Sequence, residues 1–125
     1  MKEHSLQNEI RNALAGRALV FRCNVGQAWA GDATKLPGGR VLLANARPFN
    51  TGLPPGFSDL FGLVAVTITP EMVGQRVAVF TALEVKSPNG RPTEQQLAFV
   101  KAVNDNGGRA GVVRSVDDAM RVVGG

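Results

Sequence analysis

Several polar residues in this 125-residue sequence stand where apolar ones are expected, and their types suggest chemistry. The tripeptide Glu84-Val85-Lys86 closes an apolar run that contains Val77, Val79, Phe80, Ala82 and Leu83. Strand side chains alternate, so Glu84 and Lys86 point to one face and Val85 to the other. An acid beside an ammonium at a strand end is either a solvated ion pair or a working pair, and the tripeptide alone leaves both open. Asp59 opens another apolar run (Leu60, Phe61, Leu63, Val64, Val66, Ile68) directly after Pro54-Pro55-Gly56-Phe57-Ser58. By itself such an aspartate reads as a cap or an Asx-turn. Two neighbouring strands that carry these acids at their ends would bring carboxylates to one point, where they repel unless a cation lies between them. Mg²⁺ and Mn²⁺ prefer oxygen ligands of this kind, retain several waters, and are held by as few as one or two protein carboxylates.

Two further residues belong with these. On a helix stepped at a hundred degrees per residue, Leu97, Phe99, Val100 and Val103 share one side, with Glu94, Lys101 and Asp105 opposite. Gln96 falls inside the apolar side and Gln95 at its edge. A buried amide costs free energy unless hydrogen-bonded, so Gln96 needs a polar partner, either backbone or a functional group. Glu9 flanks the apolar stripe of an N-terminal helix beside Leu6 and Ala13, a position from which it leans over a sheet; most such acids are solvated.

The elements that position these residues follow from the pattern. Ser5 is a plausible N-cap for a helix whose stripe is Leu6, Ile10, Ala13 and Leu14, closed by Gly16. Residues 18–24 read as a strand. Residues 26–58 are punctuated by Gly31, Pro37-Gly38-Gly39, Pro48, Gly52 and Pro54-Pro55-Gly56. They read as a Gly/Pro-rich hairpin or extended insert whose only strand-like run is 40–44, followed by a loop over 47–56. Residues 59–69 form a near-continuous apolar strand, expected to be buried on both faces. A turn at 71–75 leads into a long, deeply buried strand over 76–87. Thr93 caps a helix running to about Asn106, which Gly107-Gly108 stops. Residues 109–114 are a last strand, and Ser115 caps a short helix through Val123. The order α-β-β-β-β-α-β-α predicts an α/β fold with a mixed central sheet flanked by helices, in a single domain spanning 1–125.

Composition sets bounds on these readings. Hydrophobic residues make up 44% and charged residues 19%, an ordinary globular balance. Lys and Arg outnumber Asp and Glu by 14 to 10, giving +4. This excess favours polyanions, and charge alone fits an ordinary solvated surface equally well. The single cysteine, Cys23, excludes an internal disulfide and a thiolate zinc cluster; at the end of an apolar run it reads as a buried, inert thiol, in keeping with a reducing compartment. The N-terminal residues show no secretory apolar segment, and no stretch is apolar enough to cross a bilayer, so a cytoplasmic protein is expected.

Taken in order, Glu9 on the first helix, Gly56-Phe57-Ser58-Asp59 before a strand, Glu84-Val85-Lys86 at the end of the next, and Gly90-Arg91-Pro92-Thr93-Glu94-Gln95-Gln96 resemble the VRR-NUC nucleases of the PD-(D/E)XK phosphodiesterase superfamily. Phe21-Arg22-Cys23-Asn24-Val25-Gly26 is similar to the family's segment after the first helix. The resemblance spans about 3–115 and implies a restriction-endonuclease-like domain that hydrolyses DNA phosphodiester bonds with Mg²⁺ or Mn²⁺. It implies that Asp59 and Glu84 hold the metal, with the Val85 carbonyl as a further ligand and Glu9 acting directly or through water. Lys86 would orient the attacking water or stabilise the phosphorane-like charge, and Gln96 would bond near both. Short stand-alone members resemble Holliday-junction-resolving enzymes, which implies branched DNA as substrate and a homodimer. Arg22, Asn24, Lys35, Arg40, Arg47 and Arg91 are candidate DNA contacts, each also readable as a solvated surface residue. The competing expectations are a non-catalytic DNA-binding module on the same fold and a plain interaction domain.

Overall fold

The structure, a computed structural model, describes residues 2–23 and 27–124. Its elements run α1 (Glu3–Leu14), β1 (Leu19–Arg22), β2 (Gln27–Leu36), β3 (Arg40–Asn50), β4 (Leu60–Leu63), β5 (Thr81–Val85), α2 (Glu94–Asp105), β6 (Arg109–Val113) and α3 (Val116–Gly124). The strands pair as three two-stranded ladders: β1 with β4 and β2 with β3 antiparallel, β5 with β6 parallel. Mixed strand senses with flanking helices make this the expected α/β class. The expected central sheet is here three small ladders with one strand, β2, more than the sequence suggested, and the element extents differ. The first helix starts at Glu3, ahead of Ser5, with Lys2 at its N-cap and no side-chain cap bond.

The insert is a true hairpin, and β2 is the strand the sequence concealed. Its residues, Gln27-Ala28-Trp29-Ala30-Gly31-Asp32-Ala33-Thr34, carry few β-branched or aromatic side chains, so pairing with β3 rather than propensity makes the strand. The register slips between Ala30 and Asp32, where Asn45 takes a positive φ of 54° and donates from Nδ2 to Asp32 Oδ2 at 3.0 Å.

β1 and β4 lie close enough that only glycine fits one position. A Cβ on Gly62 would stand 1.8 Å from the Leu19 carbonyl oxygen. The pairing ends at Arg22↔Leu60, and the Cys23 N–H donates to the Asp59 carbonyl at 3.0 Å, so the backbone of Asp59 is held by one bond beyond the ladder.

β5, α2 and β6 form a crossover unit, the connection that two parallel strands need. Thr93 opens α2 with a capping box. At the other end Gly107 takes φ 88°, Gly108 N–H donates to Val103 O at 2.9 Å and Gly107 N–H to Asn104 O at 3.1 Å, a Schellman stop. α3 begins as expected at Ser115, whose Oγ accepts from Asp118 N–H at 3.1 Å. The backbone N–H of Arg114 donates to Asp118 Oδ2 at 2.9 Å. That bond, aided by Arg121 and Ser115, holds the Asp118 carboxyl below its ordinary 3.8.

The buried apolar side chains among the described residues are Leu63 of β4, Val103 of α2 and Val113 of β6. The strands expected over 59–69 and 76–87 are shorter and less covered than their apolarity suggested. Residues 64–69 and 75–80 run outside any ladder, on either side of a 3₁₀ turn at Pro70–Met72, and Val64, Val66, Ile68, Val77 and Val79 are exposed. A cleft of about 360 Å³ is lined from both arms, by Val66, Ile68 and Met72 on one side and Val77 and Val79 on the other.

Two outcomes check this description. Gly62→Ala forces β1 and β4 apart and should cost about 3 kcal/mol, read as a lowered urea midpoint; a wild-type midpoint would contradict the close approach. Because the folded Asp118 pKa is depressed, its contribution to stability is present above pH 3.8 and is lost as pH falls through the folded value. Asp118→Asn should therefore lower the melting temperature at pH 7 more than at pH 3; an equal loss at both pH values would show that the carboxylate charge plays no part.

Candidate active site

Ala82, Glu84 and Lys86 follow one another on the same face at the C-terminal end of β5 and are partly buried, whereas Leu83 and Val85 on the opposite face are exposed. Lys86 Nζ lies 3.4 Å from Glu84 Oε1, with side-chain exposures of 21% and 31%. These values separate the pair from the two outer ion pairs, Lys101–Asp105 and Arg121–Asp118, in each of which the basic partner is about three-quarters exposed. Partial burial raises the cost of leaving either charge without its partner. Glu84 lines a cleft of about 630 Å³ together with Ala82, Thr93, Gln95, Gln96 and Phe99.

The backbone of β5 adds an oxygen. Arg109 N–H donates to Phe80 O at 2.9 Å and Lys86 N–H to Val113 O at 3.0 Å, which puts the backbone groups of even-numbered residues toward β6. The carbonyls of Thr81, Leu83 and Val85 therefore point to the other edge, where no strand pairs among the described residues. The Val85 carbonyl thus points to an edge that no strand covers among the described residues.

The first turn of α2 contributes the opposite wall. Thr93 Oγ1 accepts from Gln96 N–H at 3.1 Å and Gln96 Oε1 accepts from Thr93 N–H at 2.8 Å. The polar partner that the position of Gln96 demands is thus backbone, and the reciprocal bonds fix the side chain at the rim of the Glu84 cleft.

Asp59 sits exposed at the entry to β4. Arg22 pairs with the following residue, Leu60, and Arg22 Nη2 is 3.1 Å from His4 Nδ1, tying the start of α1 to that end of β1. Glu9 is exposed on α1. Among the described residues no three His, Cys, Asp or Glu side chains form a group that could hold a metal ion. Glu84 and Lys86 are therefore brought together, with Gln96 at the same cleft, while Asp59 and Glu9 complete no such cluster with Glu84. Oxygen donors of the right kind for a hard divalent ion are present in Glu84 and the Val85 carbonyl, and such an ion accepts few protein ligands and several waters. Of the basic candidates, Lys35, Arg40 and Arg47 are exposed on the β2–β3 hairpin, with Arg40 Nε donating to Pro37 O at 3.0 Å, and Arg91 is exposed ahead of α2. Asn24 lies outside the described residues.

An aromatic chain joins the two halves. The ring centroids of Phe21 and Phe61 are 5.7 Å apart, Phe21 and Phe99 5.6 Å, and Phe57 and Phe61 5.4 Å. It packs the strand pair that carries Asp59 against the helix that covers Glu84. The sequence reading assigned these rings no part in the site, because a phenylalanine in an apolar run breaks no pattern.

The VRR-NUC domain profile matches residues 2–117. This chain belongs to the VRR-NUC family. Its domain is therefore a nuclease domain of the PD-(D/E)XK-like superfamily, with DNA as its substrate. No curated protein and no solved structure matches the chain. No helix of the VRR-NUC domain is long and apolar enough, among the described residues, to cross a membrane.

The capping box is open to a direct check. Thr93→Ala and Gln96→Ala should each cost about 1 kcal/mol, and the double variant about the same as either alone, because both remove one reciprocal unit. Fully additive losses in chemical denaturation would show that Gln96 is held by something other than Thr93.

Proposed function

We propose that this VRR-NUC domain is a metal-dependent, structure-specific endonuclease that hydrolyses phosphodiester bonds at branched, Holliday-junction-like DNA in the cytoplasm. The observation that carries the reading is the partly buried Glu84–Lys86 pair beside the outward Val85 carbonyl, facing the first turn of α2. Glu84, Asp59 and the Val85 carbonyl hold Mg²⁺ or Mn²⁺, with Glu9 contributing directly or through water. When bound, the ion lowers the pKa of a water and neutralises phosphoryl oxygens. Lys86, no longer needed by a Glu84 that holds the ion, would supply fixed positive charge where the phosphoryl charge grows. Gln96, anchored through Oε1, turns its amide N–H groups toward that water. Lys35, Arg40, Arg47, Arg22, Asn24 and Arg91 contact the phosphate backbone.

The functional unit in this reading is a homodimer. The accessible surface is 9992 Å², whereas a folded monomer of this mass exposes about 6,400 Å². The exposed apolar groups include Val64, Val66, Ile68, Val77 and Val79 of the arms and Trp29, Val41, Leu42 and Phe49 of the hairpin. A second copy covering such surface has the area and character of an obligate interface. Sedimentation velocity should give twice the 13.2 kDa chain mass; a monomer at micromolar concentration would contradict this part.

That Asp59, Glu9 and Glu84 form no metal-holding group among the described residues favours one rival, a DNA-binding module without catalysis. Incubating the chain with forked, flap and four-way DNA separates the two. Cleavage should require Mn²⁺ or Mg²⁺ and should fall about 100-fold or more in Lys86→Ala and in Asp59→Ala. Salt-sensitive binding without product at any metal concentration would establish the rival; full activity in either variant would overturn the site.

A further inference from the structure

Arg114 follows β6 by one residue, and its side chain reaches back to the turn that leaves β5. Its Nη1 stands 2.5 Å from Ser87 O, 2.7 Å from Gly90 O and 3.4 Å from Pro88 O. Within the turn, Gly90 N–H donates to Ser87 O at 3.0 Å. Carbonyl oxygens that converge on one point repel and open a turn unless a donor lies among them. A guanidinium is a suitable donor, since it carries charge at every working pH and forks its N–H groups in fixed directions.

The place of that turn gives the clamp its meaning. Residues 87–92 are the covalent link between Lys86 and Thr93. One end is pinned where Lys86 N–H meets Val113 O, the other by the Thr93–Gln96 capping box. Arg114 is itself fixed from behind, its backbone N–H donating to Asp118 Oδ2 at 2.9 Å at the start of α3.

We propose that Arg114 is a positioning residue for phosphodiester hydrolysis: by clamping the 87–90 carbonyls it holds Lys86 and Glu84 in register with the first turn of α2. The proposal rests on the nuclease reading above. It assigns Arg114, itself exposed, no contact with DNA, which distinguishes it from an arginine that binds phosphate. A loosened turn displaces the ammonium from the reacting phosphoryl group and lowers kcat, whereas a lost phosphate contact raises KM and flattens the salt dependence.

The test compares wild type, Arg114→Lys and Arg114→Ala on the branched DNA that wild type cleaves, with Mn²⁺. Arg114→Ala should lower kcat by about 10- to 100-fold with KM within about twofold, and Arg114→Lys, which keeps the charge but not the fork, should fall between. A kcat within about twofold of wild type in Arg114→Ala, or a raised KM at unchanged kcat, would overturn the proposal. If Arg114→Ala does not fold, Arg114→Lys decides: lowered kcat at unchanged melting temperature and KM supports the clamp, and wild-type kcat removes it. Amide exchange needs no activity and so separates this proposal from the nuclease reading. Exchange at Lys86 and Gly90 should quicken by about tenfold in the variant with the clamp removed, and unchanged exchange refutes the clamp even if the protein proves to be a binder only.

Discussion

Parallel pairing of β5 with β6 is the constraint on which the site depends. The ladder assigns each β5 residue two directions at once, one for its backbone and one for its side chain. Even-numbered residues give their backbone groups to β6 and their side chains to the face beneath α2. Glu84 and Lys86 are therefore held together in partial shelter, while the Val85 carbonyl turns to the unpaired edge. A slip of one residue would exchange all three roles, putting Val85 under the helix and both charges in water. The crossover helix reinforces the register because its N-terminal box and its Schellman stop fix both ends of α2 against the same two strands. The features that govern the chemistry are thus backbone hydrogen bonds, several residues away from any reactive group.

Much of this was legible because it leaves local marks. Thr93 with Gln96 at the third position, Gly107-Gly108 and Ser115 declare helix ends through bonds that side chains make with nearby backbone, so three residues of context suffice. The alternation that pairs Glu84 with Lys86 is equally local. What escaped the sequence depends on contacts between distant segments. β2 is a strand because β3 lies beside it, and its alanines and glycine carry no such signal. Apolar continuity at 64–69 and 75–80 suggested burial, but apolarity records what a segment needs covered and not whether its own chain covers it. The contacts of Phe21, Phe57 and Arg114 escaped since nothing about a phenylalanine in a strand or turn, or an arginine after a strand, is anomalous until the partner is known.

The acids divide along the same line. Glu84 is placed by a ladder and a helix, and its environment is built. Asp59 is placed only by the β1–β4 pair, one hydrogen bond from Cys23 and the aromatic chain through Phe57, Phe61, Phe21 and Phe99. The two therefore belong to separate ladders linked by packing rather than by a shared sheet.

The central claim is that Glu84, the Val85 carbonyl and Asp59 share one divalent ion. Anomalous diffraction from crystals soaked in Mn²⁺ measures this directly. The account predicts one manganese peak per chain about 2.1 Å from oxygens of all three residues, with Lys86 no longer on Glu84. A peak elsewhere, or coordination by Glu84 without Asp59, would contradict it.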